Sequence, residues 1–254
     1  MIETHDVVHR LKTIESLAMI ARVASTNLVG RRVMDECIEN ELSLPQAMIL
    51  AREQFAGRGR NERTWSSPPD KGIYSTTLIT RPARELALIP LAMANIVASY
   101  LRETFAIDAR IKWPNDILVG GKKIAGILTE ARVQDERVFV MIGIGVNVEP
   151  WADDTRPNAT SISENTSRFS GIEAATTAFI EHLDDHLSRP LDRDDVLAEW
   201  RARTVHQPGD RIQCVIGDRI FNGTWMRIDD EGRAVLNTTE GSVAVSAGDL
   251  ILAG

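Results

Sequence analysis

Cysteine is nearly absent: Cys37 and Cys214 are the only two in 254 residues, and they form no CxxC pair. That excludes a zinc cage and a disulfide framework, and leaves two free thiols suited to a reducing cytosol. Positive charge is in deficit, with 29 Lys and Arg against 36 Asp and Glu and a net charge of −7. Chains that embrace nucleic acid usually carry the opposite sign, so general DNA binding is disfavoured. Long apolar runs are missing too. The longest uncharged stretch, 86–101, contains Pro90, Asn95 and Ser99 and falls short of the ~20 apolar residues that span a bilayer. The opening residues lack the basic-then-apolar order of a secretory signal. A soluble cytoplasmic protein is expected, with no membrane and no nucleic-acid partner. Its 43% hydrophobic and 26% charged residues suit one large globular domain or one large plus one small.

Helical spacing of Val8, Leu11, Ile14 and Leu17 predicts a weak helix over 6–22. Ser25-Thr26-Asn27 offers capping side chains for a second helix to about Asn40. A buried run over 46–53 reads as a strand. Residues 54–72 are polar, punctuated by Gly and Pro, and without period, so they form a functional loop or disorder. A strand over 73–80, a helix from Pro90 to about Thr104, and strands near 109–113 and 117–119 follow; Gly120-Gly121 turns into a strand over 122–131. Val138–Val148 is uncharged and reads as a central strand buried on both faces. A second polar loop, 149–168, precedes two amphipathic helices, one with a stripe from Ile172 to Leu187 and one carrying Val196, Leu197 and Trp200. From Pro208 four short strands separated by Gly and Asp turns make a small all-β module, too small to stand alone. The class is α+β, with domains 1–207 and 208–254.

Three segments carry chemistry. In Gly57–Pro68, Arg58, Arg60 and Arg63 cluster among glycines in an otherwise acidic chain. Guanidinium groups and exposed backbone N–H groups bind carboxylate or phosphate, although a solvated basic loop has the same composition. It is neither a Walker A loop nor a dinucleotide fingerprint, since Glu62 stands where the third glycine would be. The second segment is Lys112-Trp113-Pro114-Asn115-Asp116 with Lys122–Leu128. Lys123 at a hairpin base beside an apolar strand needs an anionic partner, which favours an anionic ligand over a plain surface ion pair. The third is Gly143-Ile144-Gly145-Val146-Asn147-Val148, where two glycines admit a close approach, by a ligand or by a packed helix. His182 and His186, four apart, read as a solvated helix face because HExxH is absent. His206 carries no signal.

Taken together, Ser25-Thr26-Asn27, Gln54 with Gly57–Trp65, Lys112–Asp116, Lys122–Leu128 and Gly143–Val148 resemble, in order and spacing, the biotin–protein ligases. The resemblance implies a mixed sheet with helices on one side plus a C-terminal SH3-like barrel. It implies ATP and biotin as substrates, with Mg²⁺, giving biotinyl-5′-AMP and then biotin on a lysine of a carboxyl carrier domain of a biotin-dependent carboxylase. Biotin contacts would be Ser25, Thr26, Asn27, Gln54, Arg58, Gly59, Arg60, Lys123 and Gly126. ATP or adenylate contacts would be Arg60, Arg63, Trp65, Lys112, Asn115, Lys123 and Asn147. Lys123, Arg60, Arg58 and Asp116 would act in catalysis, with Asp116 also on Mg²⁺. Glu62 departs from a glycine common in relatives. The 24 residues before Ser25 leave no room for a repressor's helix-turn-helix, so specific DNA binding is not expected. A lipoate or octanoyl ligase and a noncatalytic biotin-binding module are the competing readings. The C-terminal module shows no evident nucleotide contact and is expected to serve mainly the transfer step.

Overall fold

The computed structural model describes residues 10–61, 63–134, 137–151, 158–217 and 219–252. The expectations placed on Glu62, on 1–9 and on 152–157 fall outside them. Seven strands form the large mixed sheet: β1 (Ser16–Ile20), β2 (Ala47–Ala51), β3 (Gly72–Pro82), β4 (Arg110–Lys112), β5 (Asp116–Val119), β6 (Lys122–Gln134) and β7 (Arg137–Asn147), in the order β1-β2-β3-β7-β6-β5-β4. β1 and β2 are parallel and every other pair is antiparallel. Among the described residues five α-helices accompany it: α1 (Thr26–Glu39), α2 (Ile89–Phe105), α3 (Ile162–Asn165), α4 (Ile172–Leu187) and α5 (Arg193–Arg203).

β7 explains how the layers arise. Successive side chains point to opposite faces, so Val138, Val140, Ile142, Ile144 and Val146 enter the main core with residues of α2, α4 and α5. Phe139, Met141, Gly143, Gly145 and Asn147 face the other way. There Phe139 and Met141 meet Leu78 of β3 and Met34 and Cys37 of α1 in a second apolar cluster. The strand is buried on both faces, as its sequence predicts. Helices therefore cover both sides of the sheet, correcting the one-sided arrangement: the second face of β7 is apolar enough at one end to hold α1, and bare at the glycine end.

The expected helix over 6–22 is also corrected. β1 occupies part of that span, and the carboxylate of Asp184 on α4 accepts the backbone N–H groups of Lys12, Thr13 and Ile14 at 2.5, 2.9 and 2.7 Å. Those contacts and the pairing to β2 outweigh a weak local period. The second polar loop contains α3, opened by a Ser161–Glu164 capping box.

The C-terminal strands β8 (Arg211–Ile216), β9 (Arg219–Ile228), β10 (Ala234–Thr238), β11 (Gly241–Val245) and β12 (Asp249–Leu252) form one antiparallel sheet, ordered β11-β10-β9-β8-β12. β12 was not legible in sequence. Its partner is β8, more than thirty residues back, so no turn signal announces it. The sheet docks through Trp225, which stacks on His206 with ring centroids 4.4 Å apart. Trp113 Nε1–H donates to the Gly232 carbonyl at 3.1 Å. Among the described residues no helix is long and apolar enough to cross a membrane.

Candidate active site

The bare end of the second sheet face is the floor of a cavity of about 130 Å³. Gly143 is bare because Asn27 lies on it: a Cβ there would overlap the Asn27 amide. Gly145 and Gly126 are bare because the Trp65 indole lies across both. The close approach predicted at the glycine pair is thus made by side chains of the site itself.

At one end of the cavity stands the first turn of α1. Ser25 occupies the N-cap position with extended backbone, yet its hydroxyl makes no cap bond. Its capping role is not realised: Ser25 Oγ and Asn27 Nδ2 are buried and have no hydrogen-bond partner among the described residues. Residues whose polar atoms are left unpaired in a cavity wall are prepared for a polar ligand. Gln54 holds this corner in place. Its Oε1 accepts from Thr26 N at 2.8 Å and Thr26 Oγ1 at 3.1 Å, and its Nε2 donates to Ser67 Oγ at 2.8 Å. Thr76 Oγ1 lies 2.6 Å from Asn27 Oδ1.

The other end is cationic. Lys123 Nζ is 2.6 Å from Asp116 Oδ1 and sits 5.2 Å from the Trp65 ring centroid. Arg60 Nη1 donates to Asn115 Oδ1 at 3.2 Å and to the Gly248 carbonyl at 3.3 Å. Burial lowers the Arg60 pKa, with Asp249 and Asp116 opposing that shift. Arg63 pairs with Asp249 at 2.5 Å. Arg58 is exposed at the rim. Backbone bridges from Gln54 to Ser67 and from Arg58 to Thr64 tie together the described residues of the loop that carries these arginines.

Thirteen of the residues expected at a site line this one cavity: Ser25, Thr26, Asn27, Gln54, Arg58, Gly59, Arg60, Arg63, Trp65, Asn115, Asp116, Lys123 and Gly126. Two do not. Lys112 is the cross-strand partner of Asp116 on the edge strand, outside the lining. Asn147 instead donates to the carbonyls of Lys123 and Thr160 at 3.3 and 2.9 Å. It lines a separate cavity of about 80 Å³ with Trp151, Thr160 and Glu164, and its Oδ1 is buried without a partner among the described residues. Sequence reasoning missed Asp249. It lines the main cavity, so the C-terminal sheet reaches the site through a residue in which the sequence had shown no evident nucleotide contact.

Among the described residues no group of three His, Cys, Asp or Glu is placed to hold a metal. Mg²⁺ commonly binds through one or two carboxylates plus substrate phosphates, and Asp116 is one of the two carboxylates among the described residues, with Asp249, that line the cavity. The His182–His186 face is less solvated than predicted. His182 Nε2 is 2.8 Å from Ser99 Oγ, and burial pushes its pKa down to about 4. His206 is buried, accepts the Trp113 backbone N–H at 3.1 Å, and has its pKa pushed down to about 4 by burial and then Lys112.

Comparison with known proteins agrees with this geometry. The profile of the "Biotin/lipoate A/B protein ligase family" matches residues 20–147. A biotin--[acetyl-CoA-carboxylase] ligase of Paracoccus denitrificans is 32% identical over 93% of this chain and 100% of its own length. A bifunctional ligase/repressor BirA of Bacillus spizizenii is 34% identical over 81% of this chain, which spans 66% of that relative's length. The fold is shared with the biotin protein ligase of Aquifex aeolicus solved with biotin and ATP, at a TM-score of 0.74 and 22% identity, covering 94% of this chain and 99% of that one. The chain belongs to the biotin/lipoate A/B protein ligase family.

Proposed function

We propose that the chain is a biotin–protein ligase. The observation that carries this reading is the polarity of the cavity: unpaired neutral groups at one end, cations at the other. Ser25 Oγ, able to donate and accept, and the Asn27 Nδ2 donor suit the cyclic urea of biotin. Lys123, Arg58 and Arg60 suit its carboxylate and the phosphates of ATP. An octanoyl or lipoyl chain has no polar head for Ser25 and Asn27, and burying them against it would leave their hydrogen bonds unmade. This disfavours the lipoate or octanoyl alternative.

In the first step a biotin carboxylate oxygen attacks the α-phosphorus of ATP. A P–O bond forms, the bond to the β-phosphate bridge breaks, and pyrophosphate leaves. Two anions must meet, so the barrier is electrostatic, and Lys123, Arg58 and Arg60 supply fixed positive charge where it develops. Asp116 holds Lys123 at 2.6 Å, which aims the ammonium. Mg²⁺ carried on ATP, with Asp116 as its protein ligand, would neutralise phosphate charge. Arg63 extends the cationic wall for phosphates, Lys112 stands outside the lining as the cross-strand partner of Asp116, Asn115 positions Arg60, and Trp65 offers a flat face to the base or the biotin rings. The unpaired Asn147 Oδ1 in its own small cavity suits an amino group of the base. In the second step a lysine amine of the carrier attacks the acyl carbon. The C–N bond forms, the C–O bond to AMP breaks, and the amine's surplus proton passes to water. The anhydride between the steps survives only if kept dry, a task for the arginine loop.

We read 1–207 as the catalytic domain and 208–254 as an SH3-like module whose Asp249 reaches the site. The partner is a carboxyl carrier domain of a biotin-dependent carboxylase. A cytoplasmic setting suits the two buried free thiols. Calorimetric titration tests the substrate: biotin binds, octanoate and lipoate do not, and Asn27→Ala weakens biotin by at least tenfold. Tighter binding of octanoate than of biotin would reverse the assignment.

A further inference from the structure

Beside the main cavity runs an open groove of about 630 Å³. The two share Arg58, Arg60, Arg63 and Leu128, so the groove leads from solvent to the reacting end of the cavity. Its outer wall is Arg31 of α1 and Glu130 of β6. Among the described residues lining it, Glu130 is the one acid, facing four arginines. Glu130 lies outside the main cavity, whereas the other nearby carboxylates, Asp116 and Asp249, line it and hold Lys123 and Arg63.

We propose that this groove is the path of the acceptor lysine and that Glu130 is a positioning residue for it; the inference rests on the ligase reading above. An incoming ammonium is repelled by an arginine-lined passage unless a carboxylate receives it on the way. Glu130 is placed for that, and its present partner is one that can be exchanged. Both Glu130 oxygens are held by a single Arg31 nitrogen, Nη2, at 2.7 and 2.6 Å. A guanidinium fork normally spends two nitrogens on a carboxylate, and here Arg31 Nε is left buried without a partner among the described residues. An ammonium can take the guanidinium's place on the carboxylate, because the Arg31 side chain is 35% exposed and can turn its charge to solvent. The lysine stem then lies along Leu128, and its nitrogen reaches the cationic end of the cavity after losing its proton to water.

The test separates the two half-reactions. Pyrophosphate release with biotin and ATP but no acceptor reports the first; labelling of an isolated carboxyl carrier domain over a range of concentrations reports the second. Glu130→Gln is expected to raise the KM for the carrier about tenfold, with kcat within about twofold and pyrophosphate release unchanged. Arg31→Gln frees Glu130 and is expected to lower that KM two- to threefold. An unaltered carrier KM in Glu130→Gln would overturn the proposal. So would an Arg31→Gln variant with the same defect as Glu130→Gln, since the ion pair would then matter only as a brace, or a loss of pyrophosphate release in Glu130→Gln. A wild-type chain that releases no pyrophosphate would instead overturn the ligase reading on which the proposal stands.

Discussion

Lys123 joins both parts of the site, with its ammonium on Asp116 and over Trp65 and its backbone N–H donating to the Asn158 carbonyl at 2.7 Å. Lys123→Ala leaves those backbone bonds in place, so the fold should persist. Loss of one charge-assisted contact at the developing phosphate charge should cost ~2–4 kcal/mol of transition-state stabilisation. Pyrophosphate release is expected to drop by about two orders of magnitude, measured on protein whose circular dichroism is unchanged. Near-normal release would remove Lys123 from the chemistry. Gly143→Ala makes a sharper demand, because the new Cβ would collide with Asn27. Biotin affinity should fall more than tenfold while nucleotide binding alone is little changed. These residues were legible in sequence because their types are costly to place idly: an inward lysine, glycines in a strand, arginines among glycines. Asn147 was legible as a polar residue in a strand, but its side chain is turned to the 158–161 segment, a contact that no local pattern encodes.

The arginine loop and the C-terminal sheet work as one unit. Arg63 pairs with Asp249 and Arg60 donates to the Gly248 carbonyl, so β12 braces the loop that covers the cavity. Asp249→Ala should therefore weaken the first step: kcat/KM for ATP in pyrophosphate release is expected to fall several-fold, with carrier labelling reduced in proportion. If release is unaffected while labelling suffers, the sheet serves transfer alone, as its sequence had suggested. What the sequence did not show was the contact of β12 with the site. β12 is four residues long, with no hairpin partner next to it, and its contribution to the site comes from pairing with a remote strand. The long elements were legible. β7 carries an uncharged run, α2 is uncharged as far as Leu101, with Pro90 in its first turn, and buried almost all round, and α4 carries an apolar stripe. β1 was not, because its pairing to β2 and the Asp184 carboxylate decide its conformation from a distance.

At the scale of the whole molecule, the two sheets share a continuous core through Trp113, Trp200 and Trp225, with His206 stacked in the seam. The folded His206 has its pKa near 4, depressed from 6.5 by burial first and Lys112 second. The unfolded chain takes up that proton as pH falls below about 6.5, and the folded chain does not until about 4. Stability is thus fully present above 6.5 and lost as pH drops toward 4, by about 3 kcal/mol from this group. Urea unfolding at pH 7 and pH 4.5 should show a smaller loss for His206→Gln than for wild type; equal losses would mean that the seam does not hold a neutral imidazole.

The proposed reaction joins biotin to ATP at the cationic end of the main cavity. The most direct measurement is pyrophosphate release by the purified chain with no acceptor present, biotin and ATP each omitted in turn. The expected result is release only when both are supplied, near-stoichiometric with enzyme, followed by sustained turnover and one added biotin per carrier domain once a carrier is present. Release that proceeds without biotin, or that octanoate or lipoate supports and biotin does not, would contradict it.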